Sequence, residues 1–364
     1  MKARVARWNK VFAATLVLAP AAAALVGWTY EQVGRRRDRQ LYPQIGHSID
    51  IGGRSLNIYC SGIGSPTVVF EAGGNGGGFS WALVQPKVGE FTRACWYDRA
   101  GEGWSDPPSD ARTSASVTND LHELLKRANV TPPYVVVGAS IGGEYVLVFT
   151  AKFPSEVAGM VLVDSSHPDQ REPPSMKSSF NLMSSFQRQV HCTALPVMSR
   201  FGILRLMQRP RSGFRPPSLA PEHAADVSQV FRNRPVTVAM ALEQVCAATK
   251  NGKFVPESGT GNPDLENAVR AAGGLGNLPL IVLTAGQQGP GPPDSVEARE
   301  VAEFHEVWVH QLQAQLASLS TRGRQIVVAN SGHGINYEAP DAVINAVGDV
   351  VNEARALSLT QGAK

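Results

Sequence analysis

The stretch Gly138-Ala139-Ser140-Ile141-Gly142 sets a serine between glycines, after the valine run of 134–137 and before a segment with helical spacing. A strand-to-helix bend of this kind needs small residues on both flanks, because the chain turns sharply and the serine backbone is strained. The bend lifts the hydroxyl clear of the sheet. It also leaves Ser140 at a helix N-terminus, where free N–H groups favour developing negative charge. The pattern is G-x-S-x-G, and the chemistry it suits is nucleophilic attack by Ser140 on an acyl carbon. The Ile141 N–H is then one expected oxyanion donor. The glycine-rich loop "EAGGNGGG" (71–78) follows an earlier strand, and glycine lets backbone approach a substrate carbonyl closely. Gly74 N–H is the expected second donor, in a feature worth about 2.7–4 kcal/mol per donor.

A serine hydroxyl is a poor nucleophile without a base. The chain has eight histidines. His333, in "SGHG", follows the last strand signal, which places it at the carboxyl end of a parallel strand on the rim that carries Ser140. His167 lies close to the same rim, whereas His122, His305 and His310 fall on helical segments. Each of these residues also has a plainer reading: Ser140 in an incidental glycine turn, Gly74 in a flexible loop, His333 as an exposed loop residue.

The surrounding elements must position these groups. Extended segments "HSIDI" and "RSLNIYC", split by Gly52-Gly53, read as a hairpin. Strand signals recur at 67–71, near 97, at 134–137 and at 158–164, separated by helical spacing at 114–130 and 142–153. Strands alternating with helices point to a parallel sheet covered on both faces. The rhythm stops after Asp164. Residues 166–277 are richer in Pro, Ser, Met and Arg and read as a mainly helical insert. It resumes at 278 with a strand ("LPLIVLTAG"), a long amphipathic helix, a strand and a closing helix.

The order of "EAGGNGGG", "YDRAGEGWSD", "GASIGG", "VLVDSSHPDQ" and "SGHG" resembles that of α/β-hydrolase-fold serine hydrolases, in the branch of esterases, lipases and peroxidase-like hydrolases. The resemblance covers about residues 45–165 and 278–358. It implies a mostly parallel sheet flanked by helices, interrupted by a helical cap. The loop of Asp98, Arg99 and Trp104 is then expected beside the site entrance, with Asp98 and Arg99 fixing it by polar contacts. The family's usual His-Gly before the oxyanion residue is replaced here by Ala72-Gly73, which leaves backbone donation unaffected.

The resemblance leaves the third triad member open. The family places its acid in a G-x-x-D pattern after the strand that follows the cap. Here Gly289 occupies that position, and Asp294 is the nearest carboxylate. Asp164, at the end of the preceding strand, is the alternative, because some members of the fold carry the acid there. A carboxylate at that point can hold the His333 tautomer and stabilise the imidazolium. Its plainer reading is a turn cap before Ser165 and Ser166. The family's antiparallel pairing of second and fourth strands also implies a Cys60–Cys95 bridge. Cys192 and Cys246 would then pair within the cap, and four reduced thiols are the other reading.

The expected activity is hydrolysis of a carboxylic ester or related acyl bond, on a small substrate, with an apolar cap that suits a lipophilic one. A peptidase, a peroxidase-like hydrolase and a non-catalytic binding protein are the alternatives on this fold. No cofactor is expected: metal-ligand spacing, a Walker loop and a dinucleotide fingerprint are all missing from the sequence. A net charge of +3 over 364 residues is too weak for a nucleic-acid partner. A hydrophobic fraction of 43% with 18% charged residues suits a sizeable core.

The N-terminus divides into a basic tail (1–10), an uncharged apolar run (11–30) and a polar linker (31–44). The run is about as long as the ~20 residues that span a bilayer. It is expected to anchor the chain as a single pass, with the catalytic domain on the exported side. A cleaved signal peptide at Ala22-Ala23-Ala24 is the alternative. The basic flanks nearly balance, so charge does not settle orientation. The core is expected over 45–165 and 278–364, and the cap over 166–277.

Overall fold

A computed structural model describes residues 2–41, 44–74, 77–106, 108, 113–170, 194, 197–207, 274–287 and 295–362. Most of the expected cap, together with Asp294, Gly289, Cys192 and Cys246, lies outside the described residues.

Eight strands form one sheet among the described residues, in the order β1-β2-β4-β3-β5-β6-β7-β8. They are β1 (His47–Asp50), β2 (Ser55–Ser61), β3 (Thr67–Glu71), β4 (Ala94–Tyr97), β5 (Tyr134–Ala139), β6 (Val157–Val163), β7 (Leu280–Ala285) and β8 (Gly323–Val328). β1 and β2 form the expected hairpin, and β2 runs antiparallel to β4. All remaining pairs are parallel. Cys60 and Cys95 face each other in the β2–β4 register and are disulfide-bonded.

The central strands are continuous apolar runs because both faces of the sheet are buried. Along β5, Tyr134 and Val136 enter one core, whereas Val135 and Val137 enter the other. Helices α2 (Ser114–Arg127) and α3 (Ile141–Lys152) cover the first face with Leu121, Leu124, Leu147 and Phe149. The closing helix, Pro340–Gly362, covers the second with Val343, Val347, Val350 and Val351. The parallel strands therefore deliver the ends of β3, β5, β6, β7 and β8 to one rim.

Two elements differ from expectation. Residues 31–41, read as linker, continue a single 40-residue helix, α1 (Lys2–Leu41). Glu31 is tied on both sides there. It pairs with Arg35 one turn on, at 2.8 Å, and with Arg205 of the short helix α4 (Ile203–Met207), also at 2.8 Å. The second difference concerns the membrane. Among the described residues no helix is long and apolar enough to cross a bilayer, so the expected span over 11–30 finds no support there. The run is helical, and its described apolar side chains, including Leu16, Val17, Leu18, Leu25 and Val26, are exposed.

Candidate active site

Ser140 stands at the turn between β5 and α3 with φ 51° and ψ −126°. A positive φ is costly for a residue with a side chain, and neighbouring bonds hold it. Ser140 N–H donates to the Val163 carbonyl at 3.0 Å, and its own carbonyl accepts from Gly143 N–H at 2.9 Å and Ser166 N–H at 3.0 Å. The glycines of the motif are required by space. A Cβ at Gly142 would strike the backbone carbonyls of Ala72 and Glu71, and one at Gly143 would strike Ser165.

Asp164 is the second strained residue, at φ 42°. It follows β6 directly, and its N–H donates to the Leu283 carbonyl of β7 at 2.7 Å. Its carboxylate is buried. Oδ1 accepts from Ala285 N–H at 2.9 Å and from the Trp308 indole N–H at 2.8 Å. Oδ2 lies 2.6 Å from His333 Nδ1. The far side of that imidazole, Nε2, lies 3.1 Å from Ser140 Oγ. Ser140, His333 and Asp164, separated by up to 193 residues in sequence, therefore form one hydrogen-bonded line.

His333 sits five residues past the end of β8, on a loop rather than at the strand terminus the sequence suggested. Glu338 holds that loop: its Oε2 accepts from Gly332 N–H at 2.5 Å and from Ser331 Oγ at 3.2 Å. The imidazole is 64% exposed while the Asp164 side chain is 4% exposed. His333 thus faces solvent and Asp164 is sealed beneath it.

The glycine loop after β3 reaches the same place. A Cβ on Gly73 would lie 3.4 Å from Ser140 Cβ, and one on Gly74 would lie 3.9 Å from the Ile141 side chain. Below the loop, Arg99 is buried and accompanied by Glu71, Tyr97 and Glu102, all buried too. Burial raises the Glu71 carboxyl above the usual range, and Arg99 pulls it back only in part. Burial alone would lower the Arg99 guanidinium, but Glu102 and Glu71 outweigh it and the group is held well above its ordinary value. Asp98, the other expected loop residue, accepts from Asn57 Nδ2 at 3.0 Å, Gly78 N–H at 2.8 Å and Trp104 N–H at 3.1 Å. Buried His167 lies near the rim, and its Nδ1 accepts from Asp169 N–H at 3.0 Å.

Residues 68–346 match the alpha/beta hydrolase family. The chain belongs to that family. This α/β hydrolase is 25% identical over 284 residues to the uncharacterized protein YqjL of Bacillus subtilis, covering 78% of the present chain and 83% of that protein. An uncharacterized protein of Schizosaccharomyces pombe is 44% identical over 82 residues, which make up 22% of the hydrolase and only 15% of the yeast protein. In structure, the hydrolase is similar to a thermophilic esterase from Thermogutta terrifontis, with a TM-score of 0.55 and 18% identity over 85% of this chain and 98% of that one. At that identity the likeness is one of fold.

Sequence reasoning named Ser140, His333 and Asp164 but missed Trp308, Glu71 and Glu338. Trp308 is the most informative of these. It opens a π-helical turn, Trp308–Leu312, between α5 (Val296–Val307) and α6 (Gln313–Ser318). Such turns change the direction of side chains within a helix and recur at functional sites.

Proposed function

We propose that this hydrolase cleaves a carboxylic ester or a closely related acyl bond through an acyl-enzyme. The observation that carries the reading is the unbroken line from Ser140 Oγ through His333 to Asp164. Ser140 Oγ attacks the acyl carbon while His333 Nε2 takes its proton. The carbonyl electrons move onto oxygen, where N–H groups of Gly74 and Ile141 receive the negative charge. The tetrahedral species collapses, its C–O bond to the leaving group breaks, and His333 returns the proton to the departing alcohol. Water then attacks the acyl-enzyme, giving its proton to His333, and collapse frees the acid and restores Ser140. Asp164 fixes the imidazole and stabilises its charged form.

Hydrolysis of p-nitrophenyl esters from acetate to long acyl chains, by the full chain and by Ser140→Ala, tests this. Turnover that vanishes in the variant supports the reading, and the preferred acyl length sizes the pocket. Equal inertness of both proteins would overturn it.

The exposed apolar run of α1 supports a statement about place. We infer that it rests against a lipid surface, because contiguous exposed apolar side chains mark an interaction site. Flotation with phospholipid vesicles tests this on the full chain and on a Leu16→Glu, Leu25→Glu variant. The unmodified protein should float and the variant should float less. An unmodified protein that remains at the bottom refutes the inference.

A further inference from the structure

We propose that Arg99 is the positioning residue of the oxyanion hole, acting through the glycine loop rather than on substrate. The inference rests on the acyl-transfer reading above.

A guanidinium carries five N–H donors in a fixed plane, and all five of Arg99 are used. Nε donates to Glu102 Oε1 at 3.1 Å. Nη1 donates to Glu71 Oε1 at 2.6 Å and to the Ala72 carbonyl at 2.5 Å. Nη2 donates to Glu102 Oε1 at 2.8 Å and to the Gly73 carbonyl at 2.6 Å. Two carboxylates thus fix the plane of the group, and two neighbouring NH2 arms grip two consecutive carbonyls of the loop.

The consequence follows from peptide geometry. In a planar trans peptide the C=O and the next N–H point in opposite directions. Drawing the Ala72 and Gly73 carbonyls down onto Arg99 turns the N–H groups of Gly73 and Gly74 to the opposite side. That side carries Ser140, whose Cβ lies 3.4 Å from where a Gly73 Cβ would stand. The far end of the loop is tied to the same segment as Arg99. Gly77 N–H donates to Glu102 Oε2 at 3.3 Å, and Gly78 N–H donates to Asp98 Oδ1 at 2.8 Å. The segment 98–102 therefore clamps both described ends of the glycine-rich loop, at Ala72 and Gly73 and at Gly77 and Gly78. Preorganised donors are effective because nothing need reorient as charge develops, and a flexible loop cannot supply that alone.

Lysine cannot substitute. It has three donors on one nitrogen and no fork to hold two carbonyls at once. Arg99→Lys should lower kcat about 100-fold, within the range seen for loss of an oxyanion donor, with KM changed less than about threefold.

The decisive readout is a p-nitrophenyl ester against its thionoester, in which sulfur replaces the carbonyl oxygen. Sulfur is a poor hydrogen-bond acceptor, so a working oxyanion hole favours the oxygen ester strongly. The oxygen-to-sulfur ratio of kcat/KM should collapse at least tenfold in Arg99→Lys. A merely structural role would lower both rates together. Should Arg99→Lys fail to fold by circular dichroism, Glu102→Gln decides. It loosens the same plane and should show the same collapse at about one-third the size. A folded variant with an unchanged ratio overturns the proposal. Wild-type protein inert on both esters would overturn the acyl-transfer reading instead, so the two failures are distinct.

Discussion

The indole N–H of Trp308 donates to Asp164 Oδ1 at 2.8 Å, on the oxygen that His333 does not use. Together with Ala285 N–H, it fills one side of the buried carboxylate and turns the other toward the imidazole. The same helix is tied to the adjoining loop a turn later, where Gln313 Nε2 donates to the Ser165 carbonyl at 2.7 Å. Trp308→Phe keeps the apolar bulk and removes one hydrogen bond to a charged group, worth about 1.5–3 kcal/mol. The expected result is a loss of folding stability on that scale, together with a fall in kcat/KM of about 10–100-fold as Asp164 holds His333 less firmly. Steady-state kinetics beside a melting curve would check it. An unchanged rate would mean that Ala285 suffices.

The identity of the acid is open to direct comparison. Asp164→Asn should reduce kcat by about 10⁴, the scale set when a triad carboxylate becomes an amide. Asp294→Asn should leave kcat within about twofold. The reverse pattern would move the acid to the proline-rich stretch beyond β7.

Gly142 sits where the nucleophile turn meets the glycine loop. Its missing side chain admits the carbonyls of Glu71 and Ala72. Gly142→Ala should destabilise the fold by about 1–3 kcal/mol through overpacking and lower activity beyond what the melting shift explains. Urea unfolding and ester hydrolysis on one preparation would separate the two effects.

The Cys60–Cys95 bridge joins the hairpin to the sheet across a 35-residue separation. Replacing both cysteines by serine should cost about 2–5 kcal/mol. A matching loss on adding reductant to the unmodified protein would attribute the effect to the bond.

Glu31 supplies a pH dependence. Burial raises its carboxyl, but Arg205 and Arg35 outweigh that and hold it below the ordinary glutamate value. A depressed carboxylate contributes stability that is fully present above its unfolded value of about 4.3. The contribution is lost as pH falls through the lower folded value. Docking of α1 on α4 should therefore persist at neutral pH and loosen in the acid range below about pH 4.3. Glu31→Gln should abolish that dependence. Hydrogen exchange of residues 26–36, corrected for intrinsic rates, would register either result.

Local patterns made the sheet and the Ser140 turn legible. β3, β5, β6 and β7 are buried on both faces and read as apolar runs, and the demands of the Ser140 turn fall on its immediate neighbours. Asp164 could not be chosen over Asp294 from the sequence, because its meeting with His333 spans 169 residues and depends on the placement of β6 beside β7 and β8. Trp308 was hidden because a single π turn directs it, and no spacing rule marks one. Arg99 stood out in sequence as a loop residue, but three of its five bonds run to residues 71–73, which only folding brings to it. The helical form of 31–41 was not legible because one partner of Glu31 lies 174 residues away.

The joint between Glu31 and Arg205 gives α1 a mechanical character. From its first residues to Glu31 the helix is an arm of about 40 Å, at a rise of 1.5 Å per residue. At the joint the two helices meet closely, with Gly27 against Phe201 and Gly202 against Tyr30. A load applied near Trp8 therefore acts on residues 201–205 with the leverage of the whole arm. Whatever grips the outer end of α1 gains a handle on that segment without approaching Ser140.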